Sequence, residues 1–288
     1  MLAQLRAEYF KFSKRWLAKA TVICVALLMS DALLAGGFLL IKEAFRALGA
    51  DGVTAPSGLP QLLENAYGYL GLAPDTLAGG RLLPYVLYSR NGPRAFLIQL
   101  LIIVSLVNLI EVGNYRNATR VLLGHGLPRI RYILTQGIFL LGYLLGLRLI
   151  AALFTIALAE FHTYLLRGCL DWQAGYWIHL ARVVVGNALY DFFLASLMYM
   201  VIMMFRSPVA GLFGGVLYVS FFEALLFSLL YEKPSWQPYT SFGAAQTLLQ
   251  LFPTPTGPEI LRAMGVFLVG GWLWLALAGL YFNRCDFG

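Results

Sequence analysis

Six long apolar runs limit this 288-residue chain to a small set of folds. About 20 consecutive apolar residues in a helix cross about 30 Å of hydrocarbon, so each run is long enough to span a membrane. The runs show no strict alternation of apolar and polar residues, which favours helices over strands. We therefore predict an all-α, polytopic membrane protein with six transmembrane helices, at residues 20–41, 95–112, 132–159, 178–205, 209–230 and 260–282.

The composition of the chain favours the same class. The chain is 60% hydrophobic and 12% charged, and its mean hydropathy is +0.73. These values exclude an ordinary soluble domain. Because no segment between the runs is long enough to build a core of its own, we treat residues 1–288 as a single transmembrane domain.

The distribution of Lys and Arg predicts the orientation of the spans. With both termini inside, eleven of the 21 Lys and Arg residues fall in cytoplasmic segments, against two acidic residues, Glu8 and Asp286. Cytoplasmic loops of membrane proteins carry such an excess of basic residues. Because these residues flank spans and have few aromatic neighbours, we expect no nucleic-acid partner. We predict an integral protein of the bacterial cytoplasmic (inner) membrane, with both termini in the cytoplasm.

Three segments outside the spans have interpretable patterns. Apolar residues recur at helical spacing through residues 1–19, with basic residues between them, which predicts an interfacial helix on the cytoplasmic leaflet. Residues 42–94 form a large outer loop, and residues 231–259 form an outer hairpin. The apolar stretch 242–252 is too short to cross, so we predict a short re-entrant or interfacial helix before the last span.

A polar and basic interruption separates the second and third apolar runs, at residues 111–136. Asn117 or Thr119 can cap a short helix, and the Gly-His-Gly sequence that follows can end it. Pro128 then blocks its continuation. We predict a short helix on the cytoplasmic surface within residues 113–131.

This interruption resembles the coupling-helix region of type-2 ABC exporter permeases, the membrane subunits that work with separate ATPase subunits. In that family the second span ends in an acidic residue. After that acidic residue come, in order, Thr and a basic residue, an apolar pair, Gly, Arg, and a Lys that enters the third span. The matching residues are Glu111, Thr119, Arg120, Leu122, Leu123, Gly126 and Arg129. Pro128 stands where Ser is common, and Gln136 stands where Lys is usual.

The resemblance implies a set of partners and a docking segment. Two permeases, either identical or homologous, would form a pathway in the lipid bilayer, with ATPase subunits beneath them. ATP and Mg²⁺ would be bound by those partner subunits. The residues implied in ATPase coupling are Glu111, Tyr115, Arg116, Thr119, Arg120, Leu122, Gly126 and Arg129.

Motifs for chemistry within this chain are missing from the sequence. No G-x-x-x-x-G-K-[ST] sequence is present, so the chain lacks the usual backbone cradle for ATP phosphates. We also find no H-E-x-x-H, no G-x-S-x-G and no Cys/His cluster with metal spacing. We therefore expect no catalytic, cofactor-binding or metal site in this chain, and no enzymatic activity of its own.

Ionisable side chains within the apolar runs are the candidate buried site. They are Asp31, Arg148, Arg182, Asp191 and Glu223. Counting about 1.5 Å per residue places Arg148, Asp191 and Glu223 at similar depth. Because unpaired charges are costly there, we predict that Arg148 pairs with Asp191 or Glu223. Such a group can hold the bundle together, line a substrate path or relay protons.

These observations favour the permease subunit of an ATP-driven ABC transporter, most simply an exporter. Two alternatives stay open. One is a secondary carrier or channel that uses Arg148, Asp191 and Glu223. The other is a non-transport membrane subunit built on the same fold.

Overall fold

The computed structural model of the protein describes residues 73–75, 81–83, 129–167, 175–205, 207–230, 235–249 and 256–284. The interfacial helix predicted at 1–19, the first two spans and residues 113–128 of the coupling segment lie outside the described residues. The total of six spans and the orientation of the termini therefore stay predictions.

The described part of the chain consists of helices and one small hairpin. Its α-helices are α1 (Arg129–Arg167), α2 (Gly175–Phe205), α3 (Pro208–Leu217), α4 (Glu223–Leu229), α5 (Ser241–Leu249) and α6 (Gly257–Arg284). A π-helical turn, Tyr218–Phe222, joins α3 to α4, and a 3-10 turn, Gln237–Tyr239, precedes α5. The predicted helical class is confirmed for this part of the chain.

The hairpin lies in the large loop and was not predicted. Its strands, β1 (Ala73–Asp75) and β2 (Arg81–Leu83), pair antiparallel, with Ala73 opposite Leu83. Strands of three residues carry almost no periodic signal, so an alternation of apolar and polar residues cannot reveal them.

Three of the described helices are long and apolar enough to cross a membrane. The candidate spans are Ile130–Ile150 in α1, Val184–Phe205 in α2 and Gly257–Tyr281 in α6. Each falls on an apolar run that the sequence identified, and α1 continues beyond the predicted run to Arg167. The chain is therefore a membrane protein by the length and composition of these helices.

The apolar run at 209–230 forms a helix in three parts. Ser207 caps α3, accepting a hydrogen bond on Oγ from the backbone N–H of Ala210 at 3.4 Å. Pro208 occupies the first helical position, where its missing N–H costs nothing. The π-helical turn then interrupts the α-helical hydrogen bonds before α4, so the predicted fifth span is not one regular α-helix.

Helix α2 is the centre of the described bundle. In the apolar stretch of its candidate span, 72% of the residues are buried, against 39% in that of α1 and 33% in that of α6. Small residues let two neighbours approach closely. A Cβ at Gly271 of α6 would overlap the ring of Phe192, and a Cβ at Gly211 of α3 would overlap Ile202. Contacts of this kind hold membrane helices together, because lipid supplies no hydrophobic drive between them.

The connection before the last span contains the short helix α5, which overlaps the stretch 242–252 that the sequence assigned to a re-entrant or interfacial helix. Thr240 accepts a hydrogen bond on Oγ1 from the N–H of Gly243 at 3.0 Å, which caps α5. Gly243 lies so close to the carbonyl of Gln237 that a side chain there would overlap the backbone. The 3-10 turn and α5 therefore fold back tightly on each other.

Candidate functional site

An ion pair joins α1 to α2 in the interior of the bundle. Arg148 donates from Nε to Asp191 Oδ2 at 2.5 Å and from Nη2 to Asp191 Oδ1 at 2.9 Å. The two side chains are 6% and 3% exposed. A guanidinium that meets both carboxylate oxygens is held in one orientation and makes a strong, specific pair. The predicted pairing of Arg148 is thereby confirmed for Asp191.

Helical periodicity places the two charges against each other. On α1 the residues Gln136, Leu140, Leu144 and Arg148 recur every fourth position, and all are buried. Steps of four keep side chains on one helical face, so Arg148 continues the stripe that faces the bundle. On α2, Asp191 is buried on the core-facing side.

Glu223 is the second buried carboxyl group of the site. Its exposed fraction is 0%, and Tyr190 donates its hydroxyl to Glu223 Oε2 at 3.4 Å. Tyr190 precedes Asp191 on α2, and its ring meets Phe267 of α6 edge-on at 5.4 Å. Adjacent residues of α2 therefore reach different neighbours, with Asp191 facing α1 and Tyr190 facing α4 and α6.

The π-helical turn sets the direction of Glu223. The backbone N–H of Glu223 bonds to the carbonyl of Tyr218, five residues earlier, which is the bond that defines the turn. One extra residue in a turn rotates the following helix face by about 100° relative to an uninterrupted α-helix. The face of α4 that meets α2 therefore depends on this turn.

The other end of the π-helical turn is also held by a phenol. The hydroxyl groups of Tyr218 and Ser241 lie 2.8 Å apart in a hydrogen bond that joins the turn to α5. The Tyr218 ring packs against Phe193 of α2 at 5.5 Å. The turn is therefore fixed to α5 at its first residue and to α2 at the residue after its last.

The sequence identified the three charged members of this cluster and missed its two phenols. Tyr190 and Tyr218 were not singled out, because a tyrosine in an apolar run most often packs as a core aromatic. A buried tyrosine hydroxyl nevertheless needs a hydrogen-bond partner. The position of Tyr190 next to Asp191 was the available signal.

The chemistry open to this cluster is that of paired charge and of a buried carboxyl group. Among the described residues, no group of three or more His, Cys, Asp and Glu side chains has the arrangement of a metal site. The Arg148–Asp191 pair fixes two helices together, and Glu223 is a buried carboxyl group that accepts a hydrogen bond from a phenol.

The remaining predicted site residues lie mostly outside this cluster. Asp31 and the coupling residues from Glu111 to Gly126 lie outside the described residues, and Arg129 is the first residue of α1. Arg182 is half-buried on α2, nearer its beginning. No protein-family model, curated protein or solved structure matches this chain.

Proposed function

We propose that this protein is the membrane-spanning permease subunit of an ATP-driven ABC transporter that exports its substrate. The observation that carries the proposal is the order of its described helices: two long helices, a third apolar helix that begins three residues after the second ends, a short helix and a last long helix. Type-2 ABC permeases often carry a short helix such as α5 before the last span. The coupling-like sequence at 111–136 immediately precedes and enters this series.

In this proposal the chain itself makes and breaks no covalent bond. Two permeases form the pathway, and separate ATPase subunits bind ATP and Mg²⁺. Closure of the ATPase subunits moves the coupling helices as rigid bodies. Because α1 begins at Arg129, that motion enters α1 directly, and the Arg148–Asp191 pair makes α1 and α2 move together.

Substitution of a proposed apolar anchor tests the coupling role. Leu122→Asp should release the ATPase subunit or uncouple its hydrolysis from transport, because it places a charge in a contact that the proposal makes apolar. Arg120→Ala should do less, since charges at the rim mainly tune association. The measurement is co-purification of the ATPase and ATP-dependent uptake into inverted vesicles. An intact, fully transporting complex in folded Leu122→Asp protein would exclude this segment from the mechanism.

The orientation proposed for the permease places Cys169 outside and Cys285 inside, because the flanking basic residues are asymmetric. An impermeant thiol reagent applied to intact cells should label Cys169 and leave Cys285 unlabelled until the cells are opened. The reverse pattern would contradict the orientation with both termini in the cytoplasm.

Glu223 favours a second candidate, a secondary carrier driven by protons. A fully buried carboxyl group with a phenol neighbour inside a membrane bundle is the type of group that proton relays use. In vesicles without any ATPase subunit, a carrier would transport when a proton gradient is imposed, and Glu223→Gln would stop it. The ABC permease would transport only with ATP and its ATPase. A non-transport subunit would do neither.

A further inference from the structure

An exposed group of aromatic and apolar side chains lies beside an arginine near the beginning of α6. We call it the α6 patch, and it consists of Trp236, Tyr239, Leu261 and Arg262. The first three are 62%, 57% and 71% exposed, although all are large and hydrophobic. The rings of Trp236 and Tyr239 lie 6.5 Å apart and are tilted at 58°. The described bundle leaves this patch uncovered.

The guanidinium of Arg262 forms part of the patch. Its central carbon lies 5.5 Å from the centroid of the Tyr239 ring, within the range of a cation–π contact. Its Nε atom is buried and has no hydrogen-bond partner among the described residues. A buried N–H donor without a hydrogen-bond acceptor destabilises the folded protein.

The carboxylate of Glu259, three residues before Arg262, is already engaged. Glu259 Oε2 accepts hydrogen bonds from the backbone N–H of Thr256 at 2.7 Å and from its Oγ1 at 2.9 Å. Among the described residues, no carboxylate forms a salt bridge with Arg262, although Glu259 is close enough to act on it through space. Because Nε is buried, the donors that an added anion can use are the terminal Nη groups of Arg262, which make no hydrogen bond to a described residue.

The level of the patch along α6 indicates which anion reaches it. Arg262 lies five residues after the first residue of a candidate span, or about 7.5 Å along the axis. Helical side chains tilt toward the N-terminus, and a long cationic one extends to the polar boundary of the membrane. Trp and Tyr concentrate at that same boundary. The patch therefore lies where phospholipid headgroups meet acyl chains.

We propose that the α6 patch binds a glycerophospholipid through its phosphodiester. Arg262 donates to the phosphate oxygens, the rings of Trp236 and Tyr239 pack against the glycerol region, and Val269, which is 64% exposed and about two turns further along α6, contacts the upper acyl chain. The charge is complementary, and the order of a cation followed by apolar surface along α6 matches the order of phosphate followed by chain. This inference concerns the lipid surroundings and does not depend on ATP-driven transport.

Lipid retention by the full-length protein tests the proposal. The protein is purified in detergent and mixed with dioleoyl phosphatidylglycerol or with dioleoylglycerol, which has the same chains and no phosphate. Bound lipid is counted by native mass spectrometry. We expect the phospholipid to be retained and Arg262→Gln to weaken its binding roughly tenfold, because a charge-assisted bond is lost. Arg262→Lys should keep part of the binding, because lysine retains the positive charge but lacks the planar guanidinium that can bond two phosphate oxygens at once.

A matched control separates this site from general attraction to headgroups. Arg131 is an exposed arginine at the beginning of α1. Arg131→Gln removes the same charge and should leave the retained lipid unchanged. Equal retention by Arg262→Gln and wild type, or equal retention of dioleoylglycerol and phosphatidylglycerol, would overturn the proposal. Inorganic phosphate that displaces the lipid at millimolar concentration would also overturn it, because the site would then take a free anion.

Discussion

The pair between Arg148 and Asp191 gives a quantitative test of how the bundle is held together. Arg148→Met keeps the apolar stem of the side chain and removes its charge, and it leaves a buried carboxylate without its bidentate partner. Asp191→Leu removes the carboxylate and leaves the buried Arg148 guanidinium without it. Removing one member of a buried ion pair costs about 3–5 kcal/mol, whereas replacing both by apolar residues is often neutral or stabilising.

The structure sets the expected size of the coupling between the two changes. Neutral hydrogen bonds between membrane helices couple by about 0.6 kcal/mol on average and at most about 1.7 kcal/mol in one well-measured case. Arg148 and Asp191 form two charge-assisted bonds, with side chains 6% and 3% exposed. Such bonds are roughly twice as strong as neutral ones. We therefore expect a coupling energy above about 2 kcal/mol, with the double variant more stable than either single variant.

The assay is reversible unfolding of the purified protein in mixed micelles with increasing dodecyl sulfate. The free energy of unfolding is measured for wild type, both single variants and the double variant. Ser228→Ala provides the control, because Ser228 is exposed and, among the described residues, its hydroxyl bonds only the carbonyl of Leu225 in its own helix, at 2.9 Å. Combined with Arg148→Met, it should give an additive loss. If the Arg148→Met/Asp191→Leu losses also add, the pair contributes nothing specific and our reasoning is wrong.

Four further substitutions test close packing and buried hydrogen bonds by thermal unfolding in detergent. Gly243→Ala should lose about 1–3 kcal/mol, because its Cβ would overlap a backbone carbonyl. Gly142→Ala, where a Cβ meets nothing within 4 Å, should be neutral or slightly stabilising, and an equal loss would contradict the close approach. Tyr190→Phe should cost about 1–3 kcal/mol, since Glu223 loses a buried hydrogen bond. Tyr218→Phe should cost less, about 0.5–1.5 kcal/mol, because its partner is a neutral hydroxyl, and the opposite ranking would refute the importance of the buried carboxyl group.

The sequence predicted the long helices and the depth of the charged groups along them, for a simple physical reason. Apolar length is a local property, and residue rise converts a position in the chain into a depth. Counting residues from the cytoplasmic end of each span therefore places Arg148 at the same depth as Asp191 and Glu223. It left open which carboxylate pairs with the arginine, since that choice depends on the rotation of each helix about its axis.

The rotation of each helix about its axis is set by its packing against other helices. The pattern of apolar residues along one helix does not determine that packing. The π-helical turn Tyr218–Phe222 contains no proline or glycine that would mark it. It is accompanied by contacts to residues distant in sequence, including Ser241 and Tyr190. A pattern read along one segment cannot reveal such contacts. The hydroxyl partners of the cluster were missed for the same reason.

The cluster forms a continuous series of contacts through the described bundle. Arg148 lies about 28 Å along α1 from Arg129, where the helix leaves the proposed coupling segment. Its bidentate pair joins α1 to Asp191, and the neighbouring Tyr190 is hydrogen-bonded to Glu223 at the end of the π-helical turn. An irregular turn is the part of a helix that can change its register most easily. In the proposed transporter, motion from the ATPase would therefore reach the fifth span at the turn, through α2.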